Sequence, residues 1–401
     1  MNLKKIMDYC LVICLILNFN TFFAGFLDRN FSLAIYFITI FILIIYVFGR
    51  KDALIRLKKV GCNLVFYYCY ILIFLIVNNI ENYFVFSIYY LIIFPLLICY
   101  FDEKLDLKCI IKYFINIVLI ISVISLFFQL FGSTLEIIKP SGVLHSMWSD
   151  KDVTTYNYVF FETQKYSIGN HVVNRNSAIF TEPAMFAIIL SLALMLKNII
   201  EYRSKIIDCI LIITLLTTTS TSGIIIMIIY YTLIALFKRK KYILKIITGP
   251  IILIFAILIF DNLLVNKMGE MSGKVRVDDI KACVSVWKNN LMFGCGYNNF
   301  DTIKNQMSAF RNYNQGLSSS FFVILAQGGI YLISLYIFSL LKYFLTILKK
   351  KKTKEMIFIL AYFVMFVTLV FNKTIISFIP LAIGINKKLK LKKEIYLEND
   401  K

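Results

Sequence analysis

Apolar runs of about 18 residues or more, each long enough to cross a hydrocarbon core of roughly 30 Å as a helix, recur from one end of this chain to the other. With 60% hydrophobic and only 16% charged residues and a mean hydropathy of +0.78, the composition departs from that of a soluble domain. The sequence therefore predicts one membrane domain over 1–401 rather than a soluble enzyme with an anchor. Lys4 and Lys5 followed by the apolar stretch 7–26 imitate a signal peptide, but the stretch is too long and many further runs follow, so it reads as an uncleaved first helix.

Helical spans are expected at about 8–27, 31–49, 60–79, 83–101, 112–131, 177–196, 206–218, 221–237, 242–260, 319–341, 355–371 and 374–386. The fold class predicted is thus an all-α polytopic membrane protein of about twelve transmembrane helices. The stretch 206–237 is too long for one straight helix and is polar at its centre, Thr217-Thr218-Thr219-Ser220-Thr221-Ser222-Gly223; either two short helices meet there or one helix breaks inside the membrane. The last two spans are short and form a hairpin around Asn372-Lys373.

A formal net charge of +20 raises the question of a nucleic-acid partner. Its distribution answers it. Most of the 43 lysines and arginines fall in alternate, short connections, which is the positive-inside pattern with both termini cytoplasmic, and lipid headgroups suffice as their partners. Nucleic acid is not expected. Neither GxGxxG nor a P-loop is present, so no nucleotide cofactor is expected either. Of nine cysteines none has metal-ligand spacing, most lie within spans as small apolar side chains, and only Cys283 and Cys295 share an outer loop where a disulfide is conceivable.

Two connections, 132–176 and 261–318, far exceed the usual turn, and both fall on the outer side by the charge pattern. The first is rich in aromatics (Trp148, Tyr156, Tyr158, Phe160, Phe161, Tyr166), suited to stacking on sugar rings or to an interfacial belt. In the second, Val277, Ile280, Val284, Trp287 and Leu291 recur at helical spacing. They predict an amphipathic helix lying on the membrane surface and ending at Gly294-Cys295-Gly296.

Charges beside span ends are costly and therefore informative. Arg175 and Glu182 bracket the start of the sixth span, where Pro183 suits a first helical turn and Thr181 or Glu182 suits the cap. Arg276 precedes the surface helix and Arg311 the tenth span. The guanidinium is planar, permanently charged and forked, which suits diphosphate recognition; as ordinary loop charges the same residues would only face headgroups. His145 and His171, the only two histidines, lack the carboxylate spacing of a metal site, so no metal is expected; either imidazole suits general-base work near neutral pH.

At these residues a family resemblance appears. The stretch 175–190, RNSAIFTEPAMFAIIL, resembles the Arg-then-Phe-x-Glu-Pro entry to a span in O-antigen and capsule polymerases of the Wzy type and in related O-antigen ligases. Three further features agree in order over 175–341. They are TTTSTSG at 217–223, Arg276…Trp287…Phe293-Gly294-Cys295-Gly296, and Leu317-Ser318-Ser319-Ser320…Gln327-Gly328-Gly329. The chain departs in carrying Ser220-Thr221 where members often have Ser-Arg. It also has no histidine in 261–318, where the ligases typically use one.

The resemblance implies a membrane glycosyltransferase that joins undecaprenyl-diphosphate-linked oligosaccharide repeat units at the outer face of the bacterial inner membrane. Membrane lipids, a chain-length regulator and a separate flippase are its implied neighbours. It assigns Arg175, Arg276 and Arg311 to diphosphate binding, Glu182 to positioning or base catalysis, and His171 as the alternative base. A ligase is the near alternative and a lipid-linked oligosaccharide flippase the alternative from another class. The flippase is disfavoured by the lack of an internal repeat and the near absence of charge in the first five spans.

Overall fold

The computed structural model describes residues 3–25, 29–49, 53–78, 80, 83–101, 107–146, 151–168, 171–238, 271–311 and 316–386. The expected span at 242–260, Trp148 and the C-terminal basic segment lie outside the described residues.

The chain is mainly helical. Its elements are α1 (Leu3–Leu17), α2 (Phe22–Gly25), α3 (Arg29–Phe48), α4 (Ala53–Val77), α5 (Tyr83–Tyr100) and α6 (Leu107–Thr134), then β1 to β5. After the strands come α7 (Pro183–Ile199), α8 (Lys205–Thr217), α9 (Thr221–Lys238), α10 (Met271–Asn289), α11 (Phe300–Lys304), α12 (Ser320–Lys349), α13 (Thr353–Thr368) and α14 (Ile375–Ile385). Among the described residues, five helices are long and apolar enough to cross a membrane: Asn30–Phe48, Val60–Val77, Tyr83–Tyr100, Leu107–Thr134 and Ser320–Lys349. Three shorter apolar helices, Pro183–Ile199, Thr221–Ala235 and Ile375–Ile385, accompany them. The exposed faces of α3 and α4 carry Phe37, Phe41, Phe66, Ile73 and Ile76, the apolar exterior expected of helices that meet lipid.

α7 is the core of the bundle. Its residues are apolar all round and nearly all are buried, the pattern of a helix surrounded by other helices. It packs against α6, α8, α9 and α13. The polar centre of 206–237 resolves as two short helices. α8 ends at Thr217, Thr219 takes a positive φ of 47°, and α9 starts at Thr221.

α12 is broken at Gly329, which has φ 63° and ψ −165°. On a straight helix Phe321 and Tyr336 would lie about 22 Å apart along the axis. Their rings instead both lie against Phe366, at 6.5 and 5.4 Å, so the first half folds back. The backbone groups freed by the break are satisfied by the segment after α10. Cys295 N donates to Ala326 O at 2.9 Å and Gly296 N to Gln327 O at 3.2 Å, while Ile330 N donates to Leu291 O at 2.9 Å. Backbones approach so closely that a Cβ on Gly329 would lie 2.3 Å from Met292 O. Gly294 and Gly329 of the two sequence motifs are therefore partners in one crossing.

The 132–176 connection adds strands to the expected all-α fold: it carries β1 (Gly142–Ser146), β2 (Lys151–Tyr156) and β3 (Phe160–Glu162) as one antiparallel sheet, and β4 (Lys165–Ile168) with β5 (His171–Asn174) as a second. Phe160 and Phe161, read as surface aromatics, are buried, with Phe161 stacked on Phe22 at 4.2 Å. The expected amphipathic helix is present as α10, with a face other than the apolar stripe packed on the protein. Ala282, Cys283 and Val286 are buried against Ile303, Val323 and Ala326, and Asp278 and Asp279 are buried too, whereas Val277 and Leu291 of the expected stripe are 37% and 50% exposed. Cys283 and Cys295 are both free thiols.

Candidate functional site

One end of the bundle gathers segments that are remote in sequence. The chain leaving α1 pairs with the chain entering α7, through Thr181 N to Asn20 O at 3.0 Å, Phe22 N to Ile179 O at 3.0 Å and a bridge between Thr21 and Phe180. Asn176, fully buried, donates from its backbone to Thr217 O at 3.1 Å and from its side chain to Ser125 Oγ and Thr217 Oγ1. Asn20 Nδ2 reaches Met185 Sδ at 3.3 Å and Val370 O, in the α13–α14 connection, at 3.5 Å. The α7 entry, the α8–α9 turn and the α13–α14 connection are thereby fixed to one another.

Arg175 is clamped to the α8–α9 turn. Nε donates to Thr218 O at 3.1 Å and to Thr219 Oγ1 at 2.8 Å, Nη2 to Thr219 O at 3.3 Å, and Nη1 to Gln164 Oε1 at 2.7 Å. The second N–H of each Nη has no protein partner among the described residues, which leaves the outer prongs of the fork for a ligand. Thr218 and Thr219 therefore position the guanidinium, a physical use for the polar motif that packing alone does not supply.

Glu182 occupies the N-cap position of α7 with extended backbone (φ −144°, ψ 147°), yet its carboxylate does not accept from the first turn, and Pro183 stands at the start as expected. The carboxylate acts on both arginines. Burial pushes the Arg175 guanidinium below its ordinary value, Glu182 pulls it back up, and the neighbouring Arg276 pushes it down again. Arg276 is exposed by area but crowded by surrounding atoms, which lowers it, while Glu182 and Asp279 raise it. Its Nη1 donates to Thr368 O at 3.4 Å, its one hydrogen bond among the described residues. Arg175, Glu182 and Arg276 thus form one electrostatic group, two cations around a carboxylate, between the α8–α9 turn and the first turns of α10.

Arg311 does not join them. It is 2% exposed, with Nη1 on Asp279 Oδ1 at 2.6 Å, Asp278 Oδ2 at 3.4 Å and Val275 O at 3.1 Å, and Nη2 on Gly316 O at 2.8 Å. Asp278 is held further by Ser308 N and Oγ. This network ties α10 to the chain before α12, and it explains why Asp278 and Asp279 face inward and turn the expected stripe outward. As a buried, ion-paired cation Arg311 braces Arg276's helix, a placement that lends no support to the diphosphate role expected of it.

His171 opens β5, its backbone paired with Ile168; its side chain lies outside the described part of the structure. His145 faces solvent on β1, 3.1 Å from Asp152. Lys373, treated in sequence only as part of a hairpin, is the cation that reading missed. Its ammonium lies 4.0 Å from the Phe300 ring centroid and bonds Asn298 Oδ1, and among the described residues no carboxylate pairs with it. Burial pushes it down to about 8. The signal was present: Lys373 is the single charge between Glu355 and Lys387. Among the described residues no His, Cys, Asp and Glu cluster is arranged to hold a metal ion.

The arrangement suits an anionic group with two or more oxygens: forked donors from two helices' ends, a carboxylate within reach of the same space, and a membrane-sized apolar bundle beneath. Comparison of the chain with protein-family models, with curated proteins and with solved structures gives no match in any of the three.

Proposed function

We propose that this chain is a polysaccharide polymerase of the bacterial cytoplasmic membrane, with about twelve spans and both termini cytoplasmic, joining undecaprenyl-diphosphate-linked repeat units into O-antigen, capsule or exopolysaccharide at the outer face. The observation that carries the reading is that Arg175, held on the α8–α9 turn, Glu182, at the α7 entry, and Arg276, bonded to Thr368 at the end of α13, lie at the end of the bundle where these segments are tied together. A hydroxyl of the incoming lipid-linked unit attacks the anomeric carbon of the growing chain. The bond from that carbon to the diphosphate oxygen breaks, and undecaprenyl diphosphate leaves with the electron pair. The free prongs of Arg175 and the exposed fork of Arg276 stabilise the charge that develops on the diphosphate. Glu182 takes the hydroxyl proton or orients the acceptor, with His171 as the alternative base.

The same chemistry serves a ligase, which differs only in its acceptor. The lack of a histidine in 261–318 favours the polymerase. A strain lacking the protein should accumulate single lipid-linked repeat units and make no long polymer, and reporters after Tyr166 and Asn305 should face outward while those after Arg56, Lys240 and Lys352 face the cytoplasm. Unchanged polymer length in the deletion strain, or a cytoplasmic signal after Tyr166 or Asn305, rules the reading out.

A further inference from the structure

Within the bundle lies an apolar cavity of about 420 Å³, walled by α1, α6, α7, α12, α13 and α14 and reaching from Ile376, near the start of α14, to Lys352, before α13. Its walls are aliphatic and aromatic, Leu196 and Ile379 among them. Tyr362 in the wall spends its hydroxyl on Ser377 O at 2.9 Å, so the interior offers water few partners, and a void of this size without contacts would be strongly destabilising. The volume is far too small for another helix and is suited to a flexible hydrocarbon chain.

Charge at the mouth narrows the occupant. Lys108, Lys352 and Glu355 are the charged residues of the lining, and Lys352 Nζ lies 3.2 Å from Glu355 Oε1. Just outside, Lys112 sits over the Tyr202 ring, Lys354 pairs with Glu201, and Arg203 and Lys108 both act on Glu201. Cations therefore exceed carboxylates around an opening into an apolar chamber. Along α7 the lining starts at Leu192, about 14 Å past Pro183, and the charged mouth lies near Ile199, about 24 Å past Pro183, so a phosphate at the mouth is separate from the proposed diphosphate site at the Arg175 end.

We infer that the cavity is a lipid-binding site for an anionic glycerophospholipid, one of whose acyl chains fills the chamber while its phosphate sits against Lys108 and Lys352. The site is independent of the polymerase reading, because its mouth lies at a different end of the bundle and it is read out by lipid retention alone.

The test is native mass spectrometry of the purified full chain, offered phosphatidylglycerol and phosphatidylethanolamine of equal chain length. Phosphatidylglycerol should be retained about tenfold or more in preference. The variant Lys108→Gln with Lys352→Gln should bring the two lipids to near parity while keeping overall retention. Leu196→Trp with Ile379→Phe should expel both, and millimolar sn-glycerol 1-phosphate should displace neither. Equal retention of the two lipids by the native chain, an unchanged preference in the lysine variant, displacement by glycerol phosphate, or preferential exchange for undecaprenyl phosphate would each overturn the assignment. Should the cavity-filling variant fail to fold, the lysine variant, whose changes lie at the mouth, decides alone.

Discussion

Arg311 offers a test in which structure and sequence expectation part company. In the brace role, Arg311→Met leaves Asp279, 2% exposed in its side chain, without its 2.6 Å partner. Burial already raises the Asp279 carboxyl, because the charged form is desolvated there. Removing one member of a buried ion pair costs about 3–5 kcal/mol, and an unfolding entropy of about 2.1 cal/mol/K per residue makes each kcal/mol worth roughly 1 °C in a 401-residue chain. A loss of about 5 °C in the apparent unfolding temperature of the detergent-purified protein is expected. Adding Asp279→Leu removes the orphaned charge, and Asp278 keeps its bonds to Ser308, so the double variant should recover most of the loss. Polymer made per folded molecule should stay near native in both. Unchanged thermal stability with polymer abolished would make Arg311 a ligand after all and refute the brace.

Gly294→Ala and Gly329→Ala should each cost about 3 kcal/mol or more, since an added Cβ meets backbone at 2.4 and 2.3 Å and both residues have positive φ. Gly61→Ala in α4, with nothing within 4 Å, should be neutral or stabilising, and thermal unfolding compares the three. Lys373 has a folded-state value lowered from 10.5 to about 8, so the folded state disfavours its charge. The penalty is absent above about pH 10.5, builds as pH falls, and is complete below about 8. Lys373→Met should therefore raise stability at pH 7 by up to about 3 kcal/mol, with the advantage shrinking as pH rises towards 10; an advantage independent of pH would contradict this.

The sequence showed its helices through apolar runs, and Arg175 and Glu182 through their position beside a span entry. It also marked Gly294 and Gly329, although that the two meet depends on a break in α12 that no local pattern discloses. The strands of the first connection were legible in part: Val153-Thr154-Thr155-Tyr156 and Phe160-Phe161 flank Asn157 and Tyr158, both with positive φ, which is a hairpin signature overlooked when the aromatics were assigned to sugars or interface. The docking face of α10 was not legible from periodicity. Its apolar stripe is real, but the pairing of Asp279 with Arg311, more than 30 residues apart, decides which side is buried. Arg276 and Glu182, 94 residues apart in sequence, likewise come within electrostatic reach of each other only through the tertiary fold.

Polymer ladders from cells carrying Arg276→Ala and Arg276→Lys, at matched membrane levels, test the diphosphate site most directly. Arg276 has one weak backbone contact, so its loss spares the fold. A charge-assisted contact to the leaving group is worth about 1.5–3 kcal/mol, or roughly ten- to more than a hundredfold in turnover. Short or absent polymer is predicted for alanine and partial recovery for lysine, which keeps the charge without the fork. Native ladders from the alanine variant at normal expression would contradict the assignment of this end of the bundle as the site of glycosyl transfer.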